Sequence, residues 1–282
     1  MKFTKPSADV YIPDGTDEGT ALSRTTHLCV VAHQDDTEIM AYHGIAECFG
    51  QPDKWFSNVT VTNGAGSPRS GIYGHYTDEE MQSVRRVEQR KAAVIGGYSV
   101  QIQLDYSSSA VKDPKQTGVC EDLLAVLRST RPRVVYLHNL ADKHDTHIAV
   151  ALRALSALRS LEPELRPARV YGCEVCRYLD WPVASEKQVL PVSAYPNLAA
   201  ALVGIFDSQV GGGKRYDLAI AGRRLAAATF LESHETDKET AVTIAMDLTP
   251  LVSDPSLDVA AYVTGFVDRL KKNVEDRLRK FS

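Results

Sequence analysis

The amino-acid sequence predicts an α/β protein: a Rossmann-like, mostly parallel sheet with helices on both faces and a helical C-terminal extension. From residue 27 to about residue 176, short apolar runs alternate with segments of helical periodicity, which is typical of repeated strand–helix–strand units. Two of the apolar runs are followed at once by histidines and aspartates. The 282 residues, 44% of them hydrophobic, suffice for one sizeable core.

The individual elements follow in order from local patterns. Strands are predicted at 27–32, 56–64, 98–106, 133–140 and 168–179. Helices are predicted at 37–50, 77–97, 118–132, 145–161, 195–210, 215–234 and 257–280. A capping box, Thr77 to Glu80, marks the start of the second of these helices.

The last predicted helix is amphipathic. Its apolar side consists of Ala260, Val263, Val267, Leu270 and Val274. Such a side packs either on the body of the protein or on a second subunit, so homo-oligomerisation is one of the two expectations.

Composition bounds the partners and the compartment. A net charge of −4 and a pI near 6.1 do not favour nucleic acid or an anionic membrane as a partner. The N-terminus has no apolar signal region, and no stretch reaches the ~20 apolar residues of a membrane span, so we expect a cytoplasmic protein. Five scattered cysteines argue against a disulfide framework, and the lone Cys173-x-x-Cys176 favours a structural role over zinc binding.

Two polar clusters stand at the ends of predicted strands: "HQDD" at 33–36 and "DKHDTH" at 142–147. The carboxyl ends of parallel strands are where such folds bind ligands. Brought together, His33, Asp36 and His147 would form a two-histidine, one-carboxylate set, the pattern of a catalytic zinc site. Asp35 would remain free to take a proton from a water that the metal acidifies. Helix capping by Asp36 or Asp142 is the alternative interpretation.

The motifs resemble those of the PIG-L/LmbE family of zinc-dependent N-deacetylases. "VVAHQDDTE" is similar to that family's AHPDD signature, and "DKHDTH" to its D-x-H-P-D-H element. Between them, "RRVEQRKAAVIGGYSVQIQLDY" is similar to the R-x-x-E segment with its trailing aspartate. The stretch "SQVGGGKRYDLAIAGRRLAAATF" resembles the C-terminal part, so the match runs from about 27 to 232.

The resemblance implies a role for each matching residue. Zinc, one ion per chain, would be bound by His33, Asp36 and His147, with Fe²⁺ or another divalent metal as an alternative. Asp35 would be the general base, and His144 would stabilise the oxyanion or protonate the leaving amine. Arg85 and Asp105 would face the sugar pocket.

The implied reaction is hydrolysis of an N-acyl group, typically acetate on an N-acetylglucosamine-type substrate or related small molecule. Asn63, at the end of a predicted strand, is a further candidate for holding substrate, although turn formation explains it equally well. We expect an N-terminal arm over 1–24, the catalytic domain over 25–236 and a C-terminal extension over 237–282 that packs on the same domain.

Three departures from the family pattern affect the site. Gln34 replaces the usual proline, Thr37 replaces an acidic residue, and Asp145-Thr146 replaces Pro-Asp. None removes an implied ligand, but they leave the native metal and the substrate open. A metal-dependent hydrolase of another bond and a non-catalytic, metal-containing binding protein are the alternatives.

Overall fold

A computed structural model describes residues 1–232 and 234–282. One eight-stranded sheet organises these residues, in the order β1-β4-β3-β2-β5-β6-β8-β7. The strands are β1 (Asp9–Tyr11), β2 (His27–Val31), β3 (Phe56–Thr62), β4 (Val100–Tyr106), β5 (Val134–His138), β6 (Arg169–Cys173), β7 (Gln188–Pro191) and β8 (Val242–Asp247).

The centre of the sheet is parallel and its edges are antiparallel. β4, β3, β2, β5 and β6 pair in parallel, whereas β1 pairs antiparallel with β4, and β8 pairs antiparallel with both β6 and β7. The chain builds outward from β2 in one direction through β3 and β4, and then in the other through β5 and β6. The order therefore reverses between β2 and β5, and a crevice opens there at the carboxyl ends of the strands.

Helices cover both faces of the sheet, as predicted. They are α1 (Glu18–Ser23), α2 (Asp36–Met40), α3 (Tyr42–Cys48), α4 (Asp78–Gly96), α5 (Ser108–Lys112), α6 (Gly118–Thr130), α7 (Asp145–Arg159), α8 (Pro196–Gly204), α9 (Asp207–Val210), α10 (Tyr216–Thr229), α11 (Thr249–Ser253) and α12 (Val259–Phe281). Side chains of β2 alternate between the two cores: Leu28 and Val30 join the core under α6 and α7, while Cys29 and Val31 join the core under α3 and α8.

The two ends of the chain contribute more to the sheet than the sequence indicated. The segment 1–24, expected to be an arm, supplies the edge strand β1 and the helix α1. The segment 237–282, expected to be a helical extension, supplies β8, which lies between β6 and β7. β1 has three residues, and both strands pair antiparallel, outside the alternating strand–helix pattern that identifies strands of a parallel sheet.

Some predicted boundaries shift. The predicted strand 168–179 ends at Cys173, and the predicted helix 195–210 divides into α8 and α9. The predicted helix 215–234 ends at Thr229; its residue Ser233 lies outside the described residues. The capping box at Thr77 and Glu80 is confirmed, with both of its hydrogen bonds present.

The C-terminal helix α12 touches the body mainly through its first half. Phe266 is its one buried residue, while Val267 and Val274 on the predicted apolar side are 49% and 46% exposed. Packing on a second subunit stays a prediction. Among the described residues, no helix combines the length and apolar composition that a membrane crossing requires.

Candidate active site

Both polar clusters lie in the crevice where the strand order reverses. β2 ends at Val31, and its loop leads into α2, which begins at Asp36. β5 ends at His138, and its loop leads into α7, whose N-terminal cap is His144. Because β2 and β5 are hydrogen-bonded neighbours, the two loops meet.

Three donor atoms converge between these loops. His33 Nδ1 lies 3.2 Å from Asp36 Oδ2 and 3.2 Å from His147 Nε2, and His147 Nε2 lies 3.5 Å from Asp36 Oδ2. Zinc binds nitrogen and oxygen at about 2.0–2.2 Å, so two ligands at the corners of a tetrahedron around it lie roughly 3.3–3.6 Å apart. The predicted donor set therefore fits a single zinc-sized ion.

Charged neighbours prepare this donor set for a cation. Although burial opposes ionisation, the imidazoles of His147 and His138 hold the pKa of Asp36 far below its usual range. Asp142 Oδ2 lies 3.3 Å from His147 Nδ1, an arrangement that orients a metal-binding imidazole and leaves Nε2 for the metal. Despite burial, the carboxylates of Asp36 and Asp142 raise the pKa of His147, since they attract positive charge to this point.

His138 belongs to the same cluster and was not predicted. It is fully buried, its ring stacks on that of His147 with centroids 4.0 Å apart, and its Nε2 accepts a hydrogen bond from the Ala32 N–H. Burial and the neighbouring His147 hold the pKa of His138 well below its usual range. Because its Nε2 already accepts a hydrogen bond, the neutral ring of His138 lines the site and packs against His147. Its position at the end of β5, equivalent to that of the first cluster after β2, was the signal in the sequence.

Two overlapping groups of residues could also share an ion. They are His33 with His144 and His147, and Asp36 with His138 and His147. A third group places Cys176 beside Asp142 and His147, and the Cys176 N–H donates to Asp142 Oδ2 at 3.3 Å. The Cys-x-x-Cys pair is thus divided: Cys173 is buried in the core and Cys176 is exposed at the site.

Asp35 sits beside the donor set in a strained backbone conformation. Its φ of +81° lies in a region that non-glycine residues seldom adopt, and such strain persists where surrounding contacts impose it. Its N–H donates to Gln89 Oε1 at 3.2 Å, and Arg85 donates to its Oδ2 at 3.0 Å. Burial raises the pKa of Asp35 to about 6, against the lowering effect of Arg85.

Arg85 does not face a pocket, contrary to the prediction. It is 1% exposed and lies beneath Asp35, where it also donates to the Gln34 carbonyl oxygen. Its Nη1 lies 3.3 Å from Glu88 Oε2, and Glu88 in turn accepts hydrogen bonds of 2.7 Å from both the N–H and the hydroxyl of Ser208. Burial and ion pairing on both sides explain this placement, so Arg85 positions Asp35.

Asp105 is hydrogen-bonded to residues outside the donor set. It accepts hydrogen bonds from the Ser7 hydroxyl and from Arg86 Nη2, the latter at 3.1 Å. Its carboxylate therefore ties the N-terminal segment to α4, and the predicted substrate contact is not supported.

Asn63 precedes a residue that packs against Gln34 and Arg85, and it remains a candidate for substrate binding. Its Oδ1 accepts a hydrogen bond from the Ala65 N–H at 3.2 Å, which forms a turn. The next residue, Gly64, has a φ of +77°, and a Cβ there would lie 2.7 Å from Gln34 Oε1 and 3.0 Å from Arg85 Cβ. This close approach brings the β3–α4 loop against the residues that hold Asp35. A substrate contact by Asn63 stays a prediction.

His144 lies at the mouth of the site. It is exposed, its ring stacks on His147 with centroids 4.4 Å apart, and its Nδ1 accepts a hydrogen bond from the Thr146 N–H at 3.2 Å. Partial burial and the neighbouring histidines lower its pKa. In the neutral ring, the accepted hydrogen bond assigns the proton to Nε2, which leaves a donor at the mouth.

The family comparison identifies the segment that contains both clusters. The model of the family described as PIG-L, GlcNAc-PI de-N-acetylase, matches residues 28–158. Those residues run from β2 to α7 and include the three donors, Asp35 and His144. The segment 28–158 therefore matches the PIG-L family, which confirms the resemblance that the motifs indicated.

Solved structures share the fold at low sequence identity. A conserved protein from Thermus thermophilus is 20% identical with a TM-score of 0.62, over 83% of this chain and 99% of that one. The 4-carboxy-2-hydroxymuconate hydratase from Pseudomonas putida is 20% identical with a TM-score of 0.62, over 79% and 95%. The N,N'-diacetylchitobiose deacetylase from Pyrococcus horikoshii is 16% identical with a TM-score of 0.60, over 82% and 88%. No curated protein sequence gave a significant match.

Proposed function

We propose that the protein is a metal-dependent hydrolase that removes an N-acyl group, in the first instance N-acetyl, from a small amine-bearing substrate such as an amino sugar or its conjugate. The observation that carries the proposal is the set of three donors 3.2–3.5 Å apart, with the additional carboxylate of Asp35 beside them. One zinc ion per chain suits two imidazoles and one carboxylate, and Fe²⁺ suits the same ligands.

Each remaining group has a separate task in amide hydrolysis. A bound zinc ion polarises an acyl carbonyl and makes water more acidic. Arg85 binds Oδ2 of Asp35, which leaves Oδ1 to take a proton from the attacking water. A pKa of about 6 keeps Asp35 mostly ionised at pH 7 and close to the range in which a general base is effective.

His144 completes the set on the solvent side. Its Nε2–H can stabilise the oxyanion that forms on the acyl oxygen, whereas protonation of the leaving amine by this ring requires its imidazolium form. The lowered pKa of this ring favours the neutral form at pH 7, so hydrogen-bond donation is the role that its surroundings support best.

Alternative reactions remain distinguishable by experiment. The fold is shared by a hydratase as well as by deacetylases, and a fold alone does not decide a reaction. Hydrolysis of another bond and non-catalytic metal binding are therefore the two alternatives.

The test pairs metal analysis with an activity screen. Purified protein is analysed for metals before and after chelation, and acetate release is measured from a panel of N-acetylated amino sugars and amines. About one zinc per chain with chelator-sensitive acetate release is expected. A bound metal without release of any acyl group from the panel would contradict the deacetylase assignment, and failure to take up metal on reconstitution would contradict the metal centre.

A further inference from the structure

A cavity lies apart from the donor set, between α8, α10 and the residues that precede β8. Its volume is about 320 Å³, within the range of small-molecule sites. The walls are mostly apolar, and they include Pro196, Val203, Ile220, Ala221, Leu225 and Ala241. Arg224 lines the same space, and we call it the Arg224 cavity.

Arg224 is a buried cation without a carboxylate partner. It is 7% exposed, and among the described residues no carboxylate oxygen lies within 4.0 Å of its nitrogens. Its Nη2 donates to the carbonyl oxygens of Glu38 and Ile39 at 2.8 and 3.0 Å, whereas its buried Nε has no hydrogen-bond partner in the described part of the chain. Burial lowers its pKa to about 10.

The existing contacts hold the Arg224 side chain in place, but they compensate its positive charge only in part. The two carbonyls belong to the end of α2, and a cation at a helix C-terminus meets only about half an elementary charge. Tyr42 adds a cation–π contact, with the guanidinium carbon 4.9 Å from the ring centre. Glu174 attracts the guanidinium only from beyond 4.0 Å. A buried charge normally has an ionic partner in direct contact, so these contacts leave a preference for an anion.

The other charged group at the cavity is already paired. Asp217 lies on the cavity wall, and Arg215 donates to both of its carboxylate oxygens, at 3.0 and 2.8 Å. Arg224 is therefore the cation that an anionic ligand would meet in a cavity with mostly apolar walls.

We propose that the Arg224 cavity binds a small carboxylate with an apolar chain, for example a free medium-chain fatty acid. Its carboxylate pairs with Arg224, and its chain lies against Val203, Ile220 and Leu225. Such a ligand satisfies the buried cation and removes apolar wall surface from water at the same time. The site differs from the donor set but is joined to it by α2, since Arg224 holds one end of that helix and Asp36 begins the other.

Isothermal titration calorimetry with octanoate and octan-1-ol tests this proposal. The two ligands share a chain and differ in charge, so octanoate is expected to bind at least about tenfold more tightly. Chelator is present in a second titration, because a carboxylate could also bind a metal at the donor set. Equal affinity for the two ligands, or octanoate binding that disappears with chelator, would overturn the proposal.

Variants on α10 locate the binding. Ala221 and Ala219 are both exposed on the same helix, but only Ala221 lines the cavity. Ala221→Phe places a large side chain at the cavity wall and is expected to abolish octanoate binding, whereas Ala219→Phe should retain it. Arg224→Met should bind octanoate and octan-1-ol with similar affinity. If this variant does not fold, the comparison of Ala221→Phe with Ala219→Phe still tests whether octanoate binds in the cavity. Unchanged binding in Ala221→Phe would refute the site.

A second copy of the chain is the other candidate occupant. Sedimentation measurements on the same variants address it. A dimer that Ala221→Phe dissociates, with no octanoate binding to the wild type, would replace the ligand proposal with a subunit interface.

Discussion

The carboxyl ends of β2 and β5 differ from those of β3 and β4, although the sequence marks both with polar residues. At β2 and β5, His33, Asp36 and His147 converge within 3.5 Å of one another. At β4, the carboxylate of Asp105 accepts hydrogen bonds from Ser7 and Arg86. The centre of the sheet thus brings three potential metal ligands together, while the carboxylate of β4 is paired locally.

The difference follows from strand order. Chain connections diverge between β2 and β5, so nothing in the sheet itself fills the space above their ends. Beyond β4 the N-terminal segment adds β1 and brings Ser7 across the strand end. A polar residue after a strand therefore indicates a site only where neighbouring connections leave it uncovered.

Removing a donor should have the largest effect. In His147→Ala, we expect metal content to fall well below one ion per chain and kcat/KM to fall by more than about 10³-fold, because metal and acid–base contributions are lost together. Elemental analysis and acetate release measure the two effects. Full metal occupancy in this variant would exclude His147 from the ligand set.

Removing the free carboxylate should separate activity from metal binding. Asp35→Asn keeps the shape of the side chain and should lower kcat by about 10²–10⁴-fold with metal content unchanged. Wild-type turnover in this variant would show that Asp35 does not act as the base.

The support beneath Asp35 should show an intermediate effect. Glu88→Gln weakens the hold on Arg85 and Ser208, and we expect kcat to fall by about tenfold, with KM and metal content little changed. Glu79→Gln, on the exposed side of the same helix, is the matched control. Equal kinetics for the two variants would show that the buried network does not position the base.

The opposite end of β2 should respond to pH without affecting the site. Burial lowers the pKa of His27 to about 4, so the folded protein keeps this ring neutral while the unfolded chain takes up a proton below about pH 6.5. Its contribution to stability is complete above about pH 6.5 and is lost as the pH falls toward 4, by at most about 1.4 kcal/mol per pH unit. Urea unfolding from about pH 7 to about pH 4.5 should show a weaker pH dependence in His27→Gln, and identical slopes would contradict this origin.

The smallest effect should come from substitution of Asp105 in β4. Asp105→Asn tolerates the positive φ of +63° and loses only a partly exposed pair with Arg86, worth about 0–1 kcal/mol. Activity within about twofold of wild type is expected in the acetate assay. A loss as large as that of Asp35→Asn would restore Asp105 to the site.

Sequence patterns predicted the parallel centre of the sheet and the converging donors, because both depend on local signals: apolar runs, helix caps and motifs at strand ends. They did not predict β1 or β8, whose pairing depends on partners far away in the chain. They also misassigned Arg85, since a motif position does not reveal whether a side chain points into a pocket or under it. His138 was missed because it lies within the predicted strand 133–140, whereas the candidate donors were sought after the strand ends.

The most direct test of the metal centre is a crystal structure of the zinc-loaded protein with anomalous diffraction measured at the zinc absorption edge. We expect one strong peak per chain, coordinated by His33 Nδ1, Asp36 Oδ2 and His147 Nε2. A peak held instead by Asp142 and Cys176, or no peak at the ends of β2 and β5, would contradict this expectation.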